Sequence, residues 1–219
     1  MIFDQARCEI VATCLELAEK GYLAGTGGNV ACRIDDKHFA VTPTATDYYA
    51  MKQEDICVLR LDDLVLVAGD RRPSIEYRLH AQVLRVRRDC RASIHTHQPI
   101  ASAYTLLGRA LEIHHPYHEI ILGQKAAFVG YAPSGTNWLA SKLRKTLRPE
   151  INAYLMRNHG VLCCGPTLGE TVARVEALEL ACATFFRNAI NHQAVSDCTP
   201  SLSEVINLLV NSRDKEFVQ

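Results

Sequence analysis

The sequence lacks the features that would place it among several specialised classes of protein. Its 24 Lys+Arg balance 24 Asp+Glu, giving a formal net charge of +0, so it has no cationic excess with which to neutralise nucleic-acid phosphates. No apolar run reaches the length of a membrane span. Charged residues between Asp4 and Glu19 interrupt the first helical segment, which is not typical of a signal peptide. We therefore expect no nucleic-acid or membrane partner.

The sequence also lacks a cysteine framework, although it contains nine cysteines. The number is odd, no C-x-x-C occurs, and most of the cysteines lie inside apolar runs, where a free thiol acts as a small hydrophobe. Disulfide frameworks belong mainly to shorter secreted chains. The pattern predicts a cytoplasmic protein. With 219 residues, 48% of them hydrophobic, the chain is predicted to fold as a single domain over residues 1–219.

Hydrophobic periodicity predicts strands and helices interspersed along the chain. The predicted strands lie at about 30–34, 39–42, 57–61, 64–67, 91–97 and 154–163. The predicted helices lie at about 10–20, 74–86, 99–107, 136–147, 168–190 and 201–211, and 120–129 is ambiguous. Ser74 is the expected N-cap of the second helix. This order favours a layered α/β or α+β fold around a sheet of mixed pairing.

Three histidines form a candidate metal site. His95 and His97 flank Thr96 on a predicted strand, where residues i and i+2 face the same side and both imidazoles can reach one ion. His159, in Asn158-His159-Gly160, is predicted at the centre of another strand. Three imidazoles with one open position suit catalytic zinc or a neighbouring first-row metal.

Other interpretations of these histidines stay open at the level of sequence. The pair at 95 and 97 could lie on an exposed strand face, and Cys163 and Cys164 leave a structural zinc site conceivable. His80, one helical turn after Glu76, is a candidate support for the site. The remaining rivals as metal ligands are His38, His114, His115, His118 and His192.

Glu76 is the candidate catalytic carboxylate, in the first turn of the predicted Ser74 helix. The alternative is a surface glutamate that favours the helix dipole. Backbone N–H groups of the turn 25–29 could bind an oxyanion, although glycine is also common in ordinary turns. This turn fits neither the Walker A nor the dinucleotide-binding pattern. Thr42-Pro43-Thr44 adds hydroxyls nearby.

Taken in order, Gly-Thr-Gly-Gly-Asn, Thr-Pro-Thr, Pro-Ser-Ile-Glu, His-Thr-His and Asn-His-Gly resemble the class II aldolase/adducin family, over about Ile10 to Cys182. The resemblance implies a three-layer αβα sandwich around a mixed, largely antiparallel sheet, and a homotetramer with active sites between subunits. It also implies the roles of individual residues. These are metal ligation, usually of zinc, by His95, His97 and His159, catalysis by Glu76, and substrate binding by Gly28, Asn29, Thr44 and Ser74.

A family tyrosine supplied by the neighbouring subunit acts as an acid, and the resemblance assigns that role to Tyr117, with Tyr131 as a competitor. The expected activity is aldol cleavage of a small ketose phosphate or related sugar through a metal-stabilised enediolate. A sugar-phosphate 4-epimerase or a decarboxylase on the same scaffold is the alternative. A non-catalytic, adducin-like interaction domain is the alternative of another class.

The chain departs from the family pattern at two positions in the expected substrate site. Thr44 is followed by Ala45 where the aldolases have glycine. Ser74 is followed by Ile75 where they have a second serine, so that a hydroxyl is lost and bulk is added beside the expected phosphate. These departures leave open whether the substrate carries a phosphate.

Overall fold

The computed structural model describes residues 2–23, 25 and 27–191, in which helices and strands alternate. The helices are α1 (Ile2–Glu19), α2 (Tyr77–Val86), α3 (Pro99–Tyr104), α4 (Pro116–Leu122), α5 (Asn137–Thr146) and α6 (Leu168–Asn191). The strands are β1 (Asn29–Arg33), β2 (His38–Val41), β3 (Cys57–Arg60), β4 (Leu66–Ala68), β5 (Ala92–Thr96), β6 (Leu111–Glu112), β7 (Lys125–Val129), β8 (Ala153–Met156) and β9 (Gly160–Gly165). The helix predicted at 201–211 lies outside the described residues.

The nine strands form one sheet in the order β4-β3-β2-β1-β5-β9-β8-β7-β6. Every neighbouring pair is antiparallel except β7 and β8, which are parallel. All five residues of the central strand β5 are buried, as expected for a strand covered on both faces. The sheet is therefore mixed and largely antiparallel, as predicted.

Helices cover both faces of this sheet. On one face α1, α3 and α4 pack against or around α6, and on the other α2 packs against α5. Successive residues of a strand face opposite sides, and Cys163 belongs to the core cluster that contains Leu178, while Cys164 belongs to the cluster of the other layer, with Leu143. The predicted three-layer αβα sandwich is confirmed. Among the described residues, no helix is both long and apolar enough to span a membrane.

The cysteines behave as the sequence predicts. Seven of the eight in the described part of the chain are buried, and all eight are free thiols. Burial raises the pKa of the Cys163 thiol to about 12, because the thiolate would lose its hydration. These side chains serve the core as small hydrophobes.

The prediction of one strand over 154–163 is wrong, because two strands, β8 and β9, are joined there by a tight turn. Asn158 takes φ +53° at the turn, a left-handed conformation that asparagine tolerates better than most residues. The amide of His159 donates to the carbonyl of Met156 at 3.2 Å. His159 therefore lies at the end of the sheet rather than at the centre of a strand.

The second helix begins later than predicted, at Tyr77, so Ser74 is not its N-cap. Ser74 instead lies in an extended segment, where its amide donates to the carbonyl of Thr42 at 2.9 Å. Its hydroxyl accepts from the amide of Glu76 at 3.3 Å. Glu76 occupies the N-cap position, and its carboxylate makes no capping hydrogen bond, so the side chain points elsewhere.

Ala45 adopts φ +49°, in the left-handed region that favours glycine. Its neighbours hold this turn, since the amide of Thr44 donates to the carbonyl of Arg72 at 2.9 Å. The side chain is exposed. We expect Ala45→Gly to raise the free energy of unfolding by about 1 kcal/mol in a denaturant titration. The matched change Ala173→Gly, within α6, should lower it by about 1 kcal/mol, and two losses of stability would contradict the argument.

Candidate active site

Sheet topology brings the predicted site residues to one end of the central strands. Asn29, at the start of β1, pairs with His95 near the end of β5. Thr96 pairs with Val161 near the start of β9. The turn between β8 and β9, which carries His159, opens at the same end. Segments distant in the sequence therefore meet at one edge of the sheet.

The three predicted histidines form one cluster. One ligand atom from each of His95, His97 and His159 lies within 4.8 Å of the others, the one such group of three found among the described residues. The Nε2 atoms of His95 and His97 are 3.0 Å apart. His95 is fully buried, His159 is half-buried and His97 is exposed, so the cluster opens to solvent on one side.

The donor set fits a divalent cation. His95 Nδ1 lies 2.8 Å from the carbonyl oxygen of Val161, which can only accept, so Nδ1 carries a proton. This is the usual support of a metal-ligating histidine. Although burial lowers the pKa of His95, the Glu76 carboxylate and the Val161 carbonyl raise it, so a metal ion would replace the second proton, on Nε2. Burial, followed by the neighbouring His95, lowers the pKa of His97 and of His159 to about 4. Both rings are therefore neutral at pH 7, the form that binds metal.

The Glu76 carboxylate borders the histidine cluster and is itself 4% exposed. Its two oxygens lie 3.2 Å from Nε2 of His95 and 3.2 Å from Nε2 of His159. The carboxylate accepts hydrogen bonds from Nδ2 of Asn29 at 3.0 Å and from the hydroxyl of Ser134 at 2.8 Å. Although burial alone would raise the pKa of Glu76, His95, His159 and the Asn29 amide hold it well below its usual range.

Two glycines permit the close approach of chain segments around the cluster. Gly28 has φ +83°, and a Cβ there would lie 2.8 Å from the carbonyl oxygen of His95. The hydroxyl of the buried Tyr48, a residue the sequence did not single out, donates to the carbonyl of Gly28 at 2.6 Å. A Cβ on Gly160 would lie 2.5 Å from both the carbonyl oxygen of Thr96 and Cδ2 of His97. Both positions exclude a side chain.

We expect Gly160→Ala to disturb the cluster, because its methyl group must displace backbone and the His97 ring. The expected results are a loss of stability of about 1–3 kcal/mol and weaker metal retention, measured by thermal unfolding and by metal analysis after dialysis. Gly169→Ala is the control, since a Cβ there meets nothing within 4 Å. Equal metal retention by the two variants would show that the histidine cluster does not require the close approach at Gly160.

The remaining residues assigned to substrate binding lie on paired segments beside Glu76. A bridge between Pro43 and Pro73 aligns the segment of Thr44 with that of Ser74. The side chain of Ile75 is 57% exposed and packs against the backbone of Gly135, in the loop that carries Ser134. The substrate-binding roles themselves stay predictions.

Tyr117 lies at the opposite end of the sheet from the histidines. The strand before its helix ends at Glu112, which pairs with Lys125 at the start of β7. At the end of its helix, the carbonyl of Leu122 accepts from the amide of Asn152, just before β8. The ring is 59% exposed. Tyr117 can therefore approach a histidine cluster only in another copy of the chain.

Tyr131 lies at the same end of the sheet as the histidines. It follows the last residue of β7, Val129, which pairs with Met156 at the end of β8. The carbonyl of Tyr131 accepts from Nζ of Lys142 at 2.6 Å, and its side chain is 52% exposed. The two candidate acids therefore differ in origin. Tyr131 would act at the histidine cluster of its own chain, and Tyr117 at the cluster of a neighbouring copy.

Two further residues complete the surroundings of Glu76. Ser134, on the loop between β7 and α5, has no sequence pattern that marks it. His80, proposed from its helical spacing as a support, is fully buried and lies 2.6 Å from Oδ1 of Asn29. The site is therefore built from an open cluster of imidazoles, a buried carboxylate beside it and further buried polar groups.

The sequence and the fold match a known family. Residues 8–186 match the family described as Class II Aldolase and Adducin N-terminal domain. The chain belongs to the class II aldolase and adducin family.

Within that family, the chain is 32% identical over 171 residues to an L-fuculose phosphate aldolase of Methanocaldococcus jannaschii, covering 78% of this chain and 90% of that protein. It is 28% identical over 173 residues to a 3-oxo-tetronate 4-phosphate decarboxylase of Haemophilus influenzae, covering 77% and 80%. A solved structure of an L-fuculose 1-phosphate aldolase superposes with a TM-score of 0.77 at 29% identity, covering 86% of this chain and 87% of that one.

Proposed function

We propose that this chain is a divalent-metal-dependent carbon–carbon lyase that cleaves a small ketose phosphate or related sugar. The observation that carries the proposal is the convergence of His95, His97 and His159 beside the buried carboxylate of Glu76. In this proposal residues 1–219 act as one domain, in a cytoplasmic homotetramer, and zinc is the expected ion.

The three imidazoles would hold the ion through their Nε2 atoms. When bound, a divalent ion supplies Lewis-acid stabilisation of the negative charge that develops on substrate oxygens during carbon–carbon cleavage. A site with three neutral nitrogen ligands suits this role, because it adds no negative charge of its own and leaves coordination positions open. The fixed proton on Nδ1 of His95 keeps its other nitrogen available.

Glu76 would be the general base and acid. Its carboxylate is ionised and lies beside the histidine cluster, held by donors from Asn29 and Ser134. From there an oxygen of Glu76 can move a proton to and from the carbon that is released by bond cleavage. Tyr117 of a neighbouring subunit would be the acid that protonates the aldehyde oxygen when the carbon–carbon bond forms, and it would take the hydroxyl proton back when the bond breaks.

Substrate would be held at the loops next to Glu76, by Gly28, Asn29, Thr44 and Ser74. Both ends of the Asn29 amide already bond protein groups, which leaves its second Nδ2 hydrogen for a ligand. The side chain of Ile75 lies next to Gly135. Directly after Ser74, the chain therefore presents an apolar side chain where the aldolases of the family have the hydroxyl of a second serine.

The experiment is metal analysis followed by a cleavage screen on ketose 1-phosphates, unphosphorylated ketoses and sugar acids. Release of an aldehyde that chelation abolishes is the expected result. Release of carbon dioxide from a sugar acid would instead assign decarboxylation, the activity named for the Haemophilus influenzae relative. Protein that binds no stoichiometric metal and turns over none of these compounds would support the adducin-like interaction domain.

A further inference from the structure

Four buried polar side chains form a chain of hydrogen bonds that ends at Glu76. Ser93 Oγ lies 2.8 Å from Nδ1 of His80, and Nε2 of His80 lies 2.6 Å from Oδ1 of Asn29. Nδ2 of Asn29 lies 3.0 Å from Oε2 of Glu76. Ser93 and His80 are 0% exposed, Asn29 is 5% exposed and Glu76 is 4% exposed, so water cannot replace a lost hydrogen-bond partner.

The hydrogen-bonding chemistry of these groups admits one direction. Asn29 turns its NH₂, which only donates, towards Oε2 of Glu76, and its carbonyl oxygen towards Nε2 of His80. That oxygen only accepts, so Nε2 of His80 must carry the ring proton. Nδ1 is then an acceptor, and the hydroxyl of Ser93 donates to it. Each link fixes the next one.

We propose that His80 is a positioning residue for Glu76, which fixes the orientation of the Asn29 amide through its Nε2 proton. This inference rests on the proposed function. His80 has no direct contact with the Glu76 carboxylate among its hydrogen bonds, so it acts through Asn29 and is not itself a catalytic residue. Without His80, the buried Oδ1 of Asn29 loses its hydrogen-bond donor, and the amide is free to turn away from the Glu76 carboxylate in search of another.

The placement of His80 on α2 explains why one helix can carry both residues. Glu76 precedes the first helical residue, and His80 follows it by four positions, so both lie on the same face of the helix. That face is turned to β1 and β5, which supply Asn29 and Ser93. The helix therefore positions both the carboxylate of Glu76 and the imidazole of His80, which orients the Asn29 amide that donates to Glu76.

Two substitutions separate positioning from mere packing. His80→Leu fills similar space but has no donor, and we expect kcat to fall about 10- to 100-fold while metal content stays stoichiometric. His80→Gln keeps an N–H that can reach Asn29, and we expect it to recover most of kcat. Leu79→Ala, a core change on the same helix, is the control that should lose stability and keep kcat. If kcat falls equally in all three, or in none, positioning by His80 is refuted.

A spectroscopic test does not depend on finding a substrate or on the variants folding. In wild-type protein, ¹⁵N correlation spectra of the histidine rings should show His80 protonated on Nε2, with Nδ1 as an acceptor. A proton on Nδ1 would overturn the inference even if the chain proves to be a lyase. Conversely, an Nε2 proton in a protein that cleaves no sugar would contradict the proposed function and leave the hydrogen-bond chain established.

Discussion

Replacing His95 with alanine is expected to abolish metal binding and to reduce turnover at least about a thousandfold. His95 is the central residue of the cluster, since its Nε2 lies 3.0 Å from that of His97 and 3.2 Å from the carboxylate of Glu76. Lewis-acid stabilisation contributes several kcal/mol, and each ~1.4 kcal/mol is a factor of ten in rate. Metal content after dialysis and turnover of the substrate found in the screen are the measurements.

A second variant guards against misfolding as the cause. His95 is fully buried, so alanine also leaves a cavity that lowers stability. His97 is exposed, and His97→Ala should lose the metal with little loss of stability. His38→Ala is the matched control, because that histidine bonds Asp35 at 3.0 Å away from the cluster and should keep metal and activity. Full turnover of the His95 variant in chelator would exclude the metal-dependent mechanism.

The sequence predicts the local part of this site well, because strand geometry alone determines it. His95 and His97 are two residues apart at the end of β5, and their Nε2 atoms do meet. The fold class also follows from local patterns and from the order of the motifs. The helical spacing from Glu76 also points to His80, whose Nε2 lies 2.6 Å from Oδ1 of Asn29; its supporting role stays a prediction.

Long-range features of the site are not predictable in the same way. His159 is 62 positions after His97, and its approach depends on β9 lying next to β5, which no local pattern specifies. The turn that carries it was missed because apolar residues continue on both sides, although Arg157, Asn158 and Gly160 interrupt them. Ser134 reaches Glu76 from a loop whose course depends on the packing of β7 and α5.

The start of α2 shows a different limit. Ser74 is a good N-cap by residue type, yet its amide donates to Thr42, and a turn over Ile75 and Glu76 separates it from the first helical residue, Tyr77. A tertiary contact therefore overrides the local capping preference. Glu76 takes the N-cap position without a capping hydrogen bond, and its carboxylate lies against His95 and His159. The deviation from the helical pattern therefore occurs where the chemistry is expected.

Glu76→Gln is expected to keep the metal and lose most of the rate. Glutamine has the same shape, and its remaining oxygen can still accept from Nδ2 of Asn29, so the surroundings need not rearrange. It cannot take a proton from the substrate. Loss of a general base costs about two to four decades, and kcat should fall by this amount while metal content and thermal stability change little.

Glu179→Gln provides the matched control, because Glu179 is also a buried glutamate but lies outside the site. Its two oxygens accept from the amides of Ile100 and Ala101 at 2.8 Å each, at the start of α3. Replacing the carboxylate of Glu179 by an amide should lower the free energy of unfolding by about 1–3 kcal/mol and leave kcat close to that of the wild type. The two substitutions therefore have different expected outcomes: Glu76→Gln lowers kcat, and Glu179→Gln lowers stability. Equal rates for both variants would show that the carboxylate at position 76 moves no proton in turnover.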